Sequence, residues 1–201
     1  MKQHNKLGDR RRQVEQLYLT ERQFLKFAVG SEDDNVTKHQ ITYAKFEALE
    51  EKLAHCYFML HQRFITDPTL SRFWLDTALD ELQHQSILRF CRERTLTADA
   101  DVGLDRIEKI EDLLDTVQGI VNDPDVSIDE AFYASLLMES SELDDVYEKL
   151  TGLLKSSHPV LYDAIRASLR SHHETFAEAV EKFSGDHGLA QAFRNLGRAV
   201  S

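Results

Sequence analysis

The residues able to do chemistry in this chain are acids and histidines at helical spacing. In Glu81-Leu82-Gln83-His84 a glutamate and a histidine lie three positions apart, which on a helix sets both on one face, one turn from each other. Trp74, Glu81 and Leu88 form a seven-residue row flanked by Ala78 and Leu82, so carboxylate and imidazole sit in an apolar stripe. Glu50 interrupts a second stripe, Tyr43–Phe46–Glu50–Leu53–Tyr57–Leu60–Phe64. Glu139 interrupts a third, Phe132–Glu139–Val146, with Leu136 and Leu143 beside it. Burying an anion among such side chains costs several kcal/mol unless a cation or hydrogen bonds compensate it. The pattern therefore predicts positive charge in the interior. Divalent metal ions fit: carboxylates bridge and neutralise them, and imidazoles cap them while leaving a position open for dioxygen or peroxide.

Helices must hold these residues. Residues 9–29 read as an amphipathic helix with Val14, Leu17, Tyr18, Phe24, Leu25 and Phe27 on its apolar side, ended by Gly30 and a polar stretch. A long helix follows from about Lys38 to Ile65. Asp67-Pro68 then supplies an N-cap and a proline at the first helical position, opening a helix to about Arg94. Residues 95–103 form a polar loop, and Leu104–Val121 has helical period before Asn122-Asp123-Pro124 breaks it. Ser127-Ile128-Asp129-Glu130 is a capping box that starts a helix to about Leu154. Ser157-His158-Pro159 starts another, to about Phe183, and a short helix near Leu189–Val200 closes the chain. Every proline falls at a break and strand-like alternation is nowhere sustained, so the fold class is all-α.

The two halves look like copies. Glu50 and His84 are 34 positions apart, and so are Glu139 and His173, which makes the shift between halves 89. Pro68 and Pro159 are 91 apart, so the second helix of each half begins at a similar point. Two helical hairpins joined by a long crossover make a four-helix bundle with the acids converging inside. The expected organisation is an N-terminal extension (1–37), a bundle (38–183) and a short C-terminal helix (184–201).

Over roughly residues 38–183 this pattern resembles the ferritin-like superfamily, and within it the rubrerythrin-like group of di-iron carboxylate proteins. The resemblance rests on Glu50 followed by Tyr57, on Leu79-Asp80-Glu81-Leu82-Gln83-His84, and on Glu139 followed one turn later by Glu142. It implies a metal set of Glu50, Glu81, His84, Glu139, Glu142 and His173. Glu50 and Glu139 would bridge or cap, Glu81 would ligate beside His84, and Glu142 would be a labile extra ligand. It implies iron as cofactor and oxidoreductase chemistry on peroxide or dioxygen. One position departs from the pattern: the glutamate expected three residues before His173 is Arg170, and a guanidinium cannot ligate a metal. Three arrangements are open: a metal pair with Glu142 as substitute, a single metal held mainly by Glu81 and His84, or a metal-free bundle in which Arg170 neutralises the acids. The row Ile165–Leu169–His172–Phe176 makes His172 as inward as His173.

Other side chains read more plainly. Glu47 and Glu51 are expected in solvent, Cys56 and Cys91 in the core, Asp144 and Asp145 on a helix surface. Tyr57 packs, with its hydroxyl in reach of a buried carboxylate. A surface Arg170 would pair with Glu174 one turn on. At 201 residues the chain is long enough for a real core, and its net charge of −11 argues against nucleic acid or anionic membrane as partner. Two cysteines with no Cys-x-x-Cys pair exclude a rubredoxin-type centre and fit a reducing cytoplasm. The polar, basic N-terminus does not read as a signal peptide, and no apolar run approaches the roughly 18–20 residues of a membrane span. The helix over 9–29 must bury its apolar side, on its own subunit or in a homodimer. The competing functional reading is a ferritin-like scaffold, metal-free or holding one metal, that works through partner contacts or sensing.

Overall fold

The computed structural model describes residues 34–94, 104–141, 152 and 154–199. It is all-helical, with no strand among the described residues. The helices are α1 (Asp34–Arg63), α2 (Pro68–Glu93), α3 (Leu104–Val121), α4 (Ile128–Glu139), α5 (Leu154–Ser157), α6 (Pro159–Phe183) and α7 (His187–Ala199). The chain divides into two compact units, Met1–Lys38 and His39–Ser201, and the inward-facing acids and histidines all belong to the second. The helix expected over 9–29, the loop over 95–103 and residues Glu142, Leu143, Asp144, Asp145 and Val146 lie outside the described residues. No described helix is long and apolar enough to cross a membrane.

The helix starts follow the local chemistry. Asp67 caps α2 by accepting from the amides of Thr69 and Leu70, both at 3.0 Å, with Pro68 next in the chain. Ser127 and Glu130 form the reciprocal capping box of α4. Gly185, with φ of 76°, makes the turn between α6 and α7 that an L side chain rarely adopts. One end differs from expectation. The helix expected to reach Leu154 stops at Glu139, where Ser140 closes α4 with its amide on Leu136 O and its hydroxyl on Leu137 O. Serine hydroxyls compete with the helical ladder in this way.

The core joins four of these helices through one aromatic cluster. Trp74 of α2 stacks on Tyr57 of α1 with ring centres 5.9 Å apart, and lies 5.0 Å from Phe132 of α4. Phe176 of α6 meets Phe73 edge-on at 5.3 Å. Such pairs add about 0.5–1.5 kcal/mol each beyond the area they bury. On its other side Phe176 stacks face to face on Phe193 of α7, at 4.7 Å and 4°. The cluster thus brings α1, α2, α4 and α6 into contact and lays α7 against α6. Cys56 and Cys91 are buried in this core, and burial pushes each thiol up to about 11. They pack as small apolar side chains.

Candidate metal centre

Next to the aromatic cluster the same four helices turn acids and histidines inward. Glu50 on α1, Glu81 on α2 and Glu139 on α4 are 2%, 2% and 6% exposed. His84 on α2 and His172 and His173 on α6 are buried with them. Each sits where its seven-residue row places it: Leu53 and Tyr57 follow Glu50 along α1, Trp74 and Leu88 bracket Glu81 on α2, and Leu169 and Phe176 bracket His172 on α6.

The donors form two groups that share one residue. Glu50, Glu81 and His84 present ligand atoms within 4.8 Å of one another, and so do Glu81, Glu139 and His172. Within these groups Glu81 Oε2 lies 3.0 Å from His84 Nδ1, which is itself 4.0 Å from Glu50 Oε2. Glu81 Oε1 faces the other way, 3.4 Å from His172 Nε2, and that nitrogen is 3.3 Å from Glu139 Oε1. His173 Nε2 stands beside the second group, 3.7 Å from Glu139 Oε2. Glu81 is therefore the common carboxylate, with one oxygen turned to each group.

Protons and hydroxyls compensate the buried negative charge. His172 has a carboxylate on each ring nitrogen, Asp80 at 3.3 Å from Nδ1 and Glu139 at 3.3 Å from Nε2. An ionised carboxylate only accepts, so this pair of contacts favours a proton on both nitrogens, the imidazolium form. Burial alone would lower the His172 pKa, but the charge of Glu139, the bonds from Asp80 and Glu139 and the charge of Glu81 raise it well above its ordinary value. Glu139 is the converse. Burial would raise it, yet His172, His173 and the Tyr57 hydroxyl together hold it below the usual carboxylate range. Tyr57 donates to Glu139 Oε1 at 2.6 Å. Burial first, then the charges of Glu139 and Glu81, push the phenol far above its ordinary value and keep it a neutral donor.

Of the residues singled out in the sequence, the structure brings Glu50, Glu81, His84 and Glu139 together. Glu142 lies outside the described residues. His172 completes the second group, and His173, also buried, stands beside it with Nε2 3.7 Å from Glu139 Oε2. Arg170 is not inside: it is exposed on the outer side of α6. The residue one turn before His172, in the place Glu81 takes before His84, is Leu169, which is buried. The 89-residue shift is thus one too long for the second pair, since His84 and His172 are 88 apart. Two further expectations are corrected. Leu82 does not flank the acid in the interior but is exposed. Glu47 is buried, because Arg92 holds it through Nε at 2.6 Å and Nη2 at 3.1 Å while Arg89 adds a bond at 3.3 Å. Asp80 is the residue that sequence reasoning missed; its only signal is its place beside Glu81, at the edge of the exposed arc of α2.

Set against protein families, curated proteins and solved structures, the chain matches none of them.

Proposed function

We propose that this chain is a ferritin-like, rubrerythrin-like metal protein whose centre holds two divalent ions, with iron as the physiological metal. The observation that carries the reading is Glu81, one carboxylate whose two oxygens serve two separate groups of buried donors. In the reading Glu81 would serve both ions. Glu50 and His84 would help hold one, and Glu139 with His172 the other. The sequence leaves Glu50 and Glu139 to bridge or cap; in this reading they cap, and the shared position falls to Glu81. Mixed carboxylate and imidazole donors suit iron and exclude a thiolate site. When bound, paired iron supplies electrons and a coordination position for peroxide or dioxygen.

The chain's own residues prepare that centre. Asp80 accepts from His172 Nδ1 and so aims Nε2 at Glu81 and Glu139. Tyr57 fixes one Glu139 oxygen. Trp74, Phe132 and Phe176 keep water from one end. A proton on His172 Nε2 occupies the direction in which that nitrogen would ligate, so His172 would have to give up that proton to hold a metal.

Metal analysis tests the reading. Protein purified without chelator and loaded with ferrous iron is expected to hold two ions per chain, and Glu81→Ala to hold neither tightly. Peroxide consumption by the loaded protein is the activity expected. Only trace metal after loading would sink the reading and favour the metal-free scaffold, in which His172, His173 and the Tyr57 hydroxyl balance Glu139. The exposure of Arg170 speaks against the version of that scaffold in which Arg170 neutralises the acids.

A further inference from the structure

On the far side of α6 from the acids, three arginines converge on one cleft. It has a volume of about 350 Å³ and is lined by Arg170, Ser171 and Glu174 of α6 and by Arg194, Gly197 and Arg198 of α7. We propose that this cleft binds a small oxyanion of the phosphate class, held between Arg170 and Arg198.

Glycine builds the cleft. A Cβ at Gly197 would come within 3.2 Å of the His173 Cβ and 3.8 Å of the Arg170 carbonyl oxygen. The missing side chain lets α7 lie close on α6, which brings the α7 arginines up to Arg170. Arg194 then fixes the wall. It donates from Nε to Glu174 at 3.1 Å and from both terminal nitrogens to Glu181 at 2.7 and 3.0 Å. Those carboxylates hold its guanidinium firmly charged.

That pairing decides what is left over. Glu174 is the residue one turn after Arg170 and its natural surface partner, but Arg194 occupies it. Among the described residues neither Arg170 nor Arg198 has a carboxylate at ion-pair distance. In a chain of net charge −11, two uncompensated guanidinium groups across one cleft are out of keeping with a merely solvated surface. A guanidinium presents a fork of donors that matches a tetrahedral oxyanion two atoms at a time, and the Ser171 hydroxyl lines the same space. The volume is sufficient for phosphate or for the phosphate end of an ester.

The test titrates the full chain with inorganic phosphate at constant ionic strength kept by chloride, followed by calorimetry. Saturable binding of one phosphate is expected, weakened about tenfold or more in the double variant Arg170→Ala/Arg198→Ala. Both positions are exposed and alanine favours helix, so the double variant should keep its circular dichroism. Arg72→Ala, which removes an exposed arginine paired with Asp76 on α2, should change nothing. Loss in the double variant also separates the cleft from phosphate held by metal, since every proposed ligand remains. A parallel titration with glycerol phosphate distinguishes the sources: tighter binding than phosphate assigns the cleft to an ester, equal binding to the free ion. Non-saturable binding, or binding that the double variant retains, would overturn the proposal.

Discussion

The hydroxyl of Tyr57 donates to Glu139 Oε1 at 2.6 Å across 82 positions of sequence, tying α1 to α4 at the edge of the acid cluster. The same ring stacks on Trp74, so one side chain belongs both to the apolar core and to the charged centre. Tyr57→Phe keeps the stacking and removes only the donor. The metal-free protein should lose about 1–3 kcal/mol, because Glu139 stays buried with one bond fewer. Chemical denaturation of both proteins, each stripped of metal, checks this.

The pH dependence of the metal-free protein should show a maximum in mild acid. The folded value of Glu139 lies below the ordinary 4.5, so its contribution is complete above that value and is lost as pH falls through the lowered one. The folded value of His172 lies above the ordinary 6.5, so its contribution is complete below 6.5 and is lost as pH rises through the raised one. Stability is therefore expected to peak between these two values. Bound metal replaces the His172 proton, so loading should move the maximum to higher pH. Thermal melts across a pH series, with and without ferrous iron, read both effects.

Asp80 is half-exposed and, among the described residues, reaches the centre through His172. Asp80→Ala should cost the metal-free protein some stability near neutral pH, since His172 loses one of the groups that raise its pKa, and weaken metal binding about 10- to 100-fold, the range seen when such supporting carboxylates are removed. Competition with a chelator of known affinity measures the loss.

Two neighbouring substitutions on α6 should behave oppositely. Arg170→Glu changes an exposed residue, and its effect on stability should stay within about 0.5 kcal/mol, with metal uptake unaltered. Leu169→Glu places a carboxylate one turn before His172, as Glu81 stands before His84. Without metal it should cost at least about 2 kcal/mol, as an added buried anion does. Ferrous iron should restore much of that loss. Equal behaviour of the two variants would show that α6 is turned differently about its axis.

Much of the site is legible in the sequence because helical rows are strict. The rows through Glu50, Glu81 and Glu139 each carry enough large apolar residues to set the phase of the helix, and all three acids are inside. What fails depends on partners far along the chain. Glu47 reads as solvated because no basic residue stands one turn away on its own helix, whereas its partners Arg89 and Arg92 are 42 and 45 positions away. The register of α6 is lost by one residue when spacing is carried across the break before Pro159, since a loop need not preserve helical phase. The row Ile165–Leu169–His172–Phe176, counted inside α6 alone, points to the residue the structure selects. Leu82 misleads for a different reason: a leucine beside an acid row need not share its face, and here it lies on the exposed arc.

Gly197 has a meaning for anyone who edits the end of this protein. His173 has no exposed surface, and α7 is the element resting directly on its Cβ. A chain cut before His187, or strained there by a bulky tag, would open a door for water behind the histidines. The stretch that looks easiest to trim is the back wall of the room where the acids are kept dry.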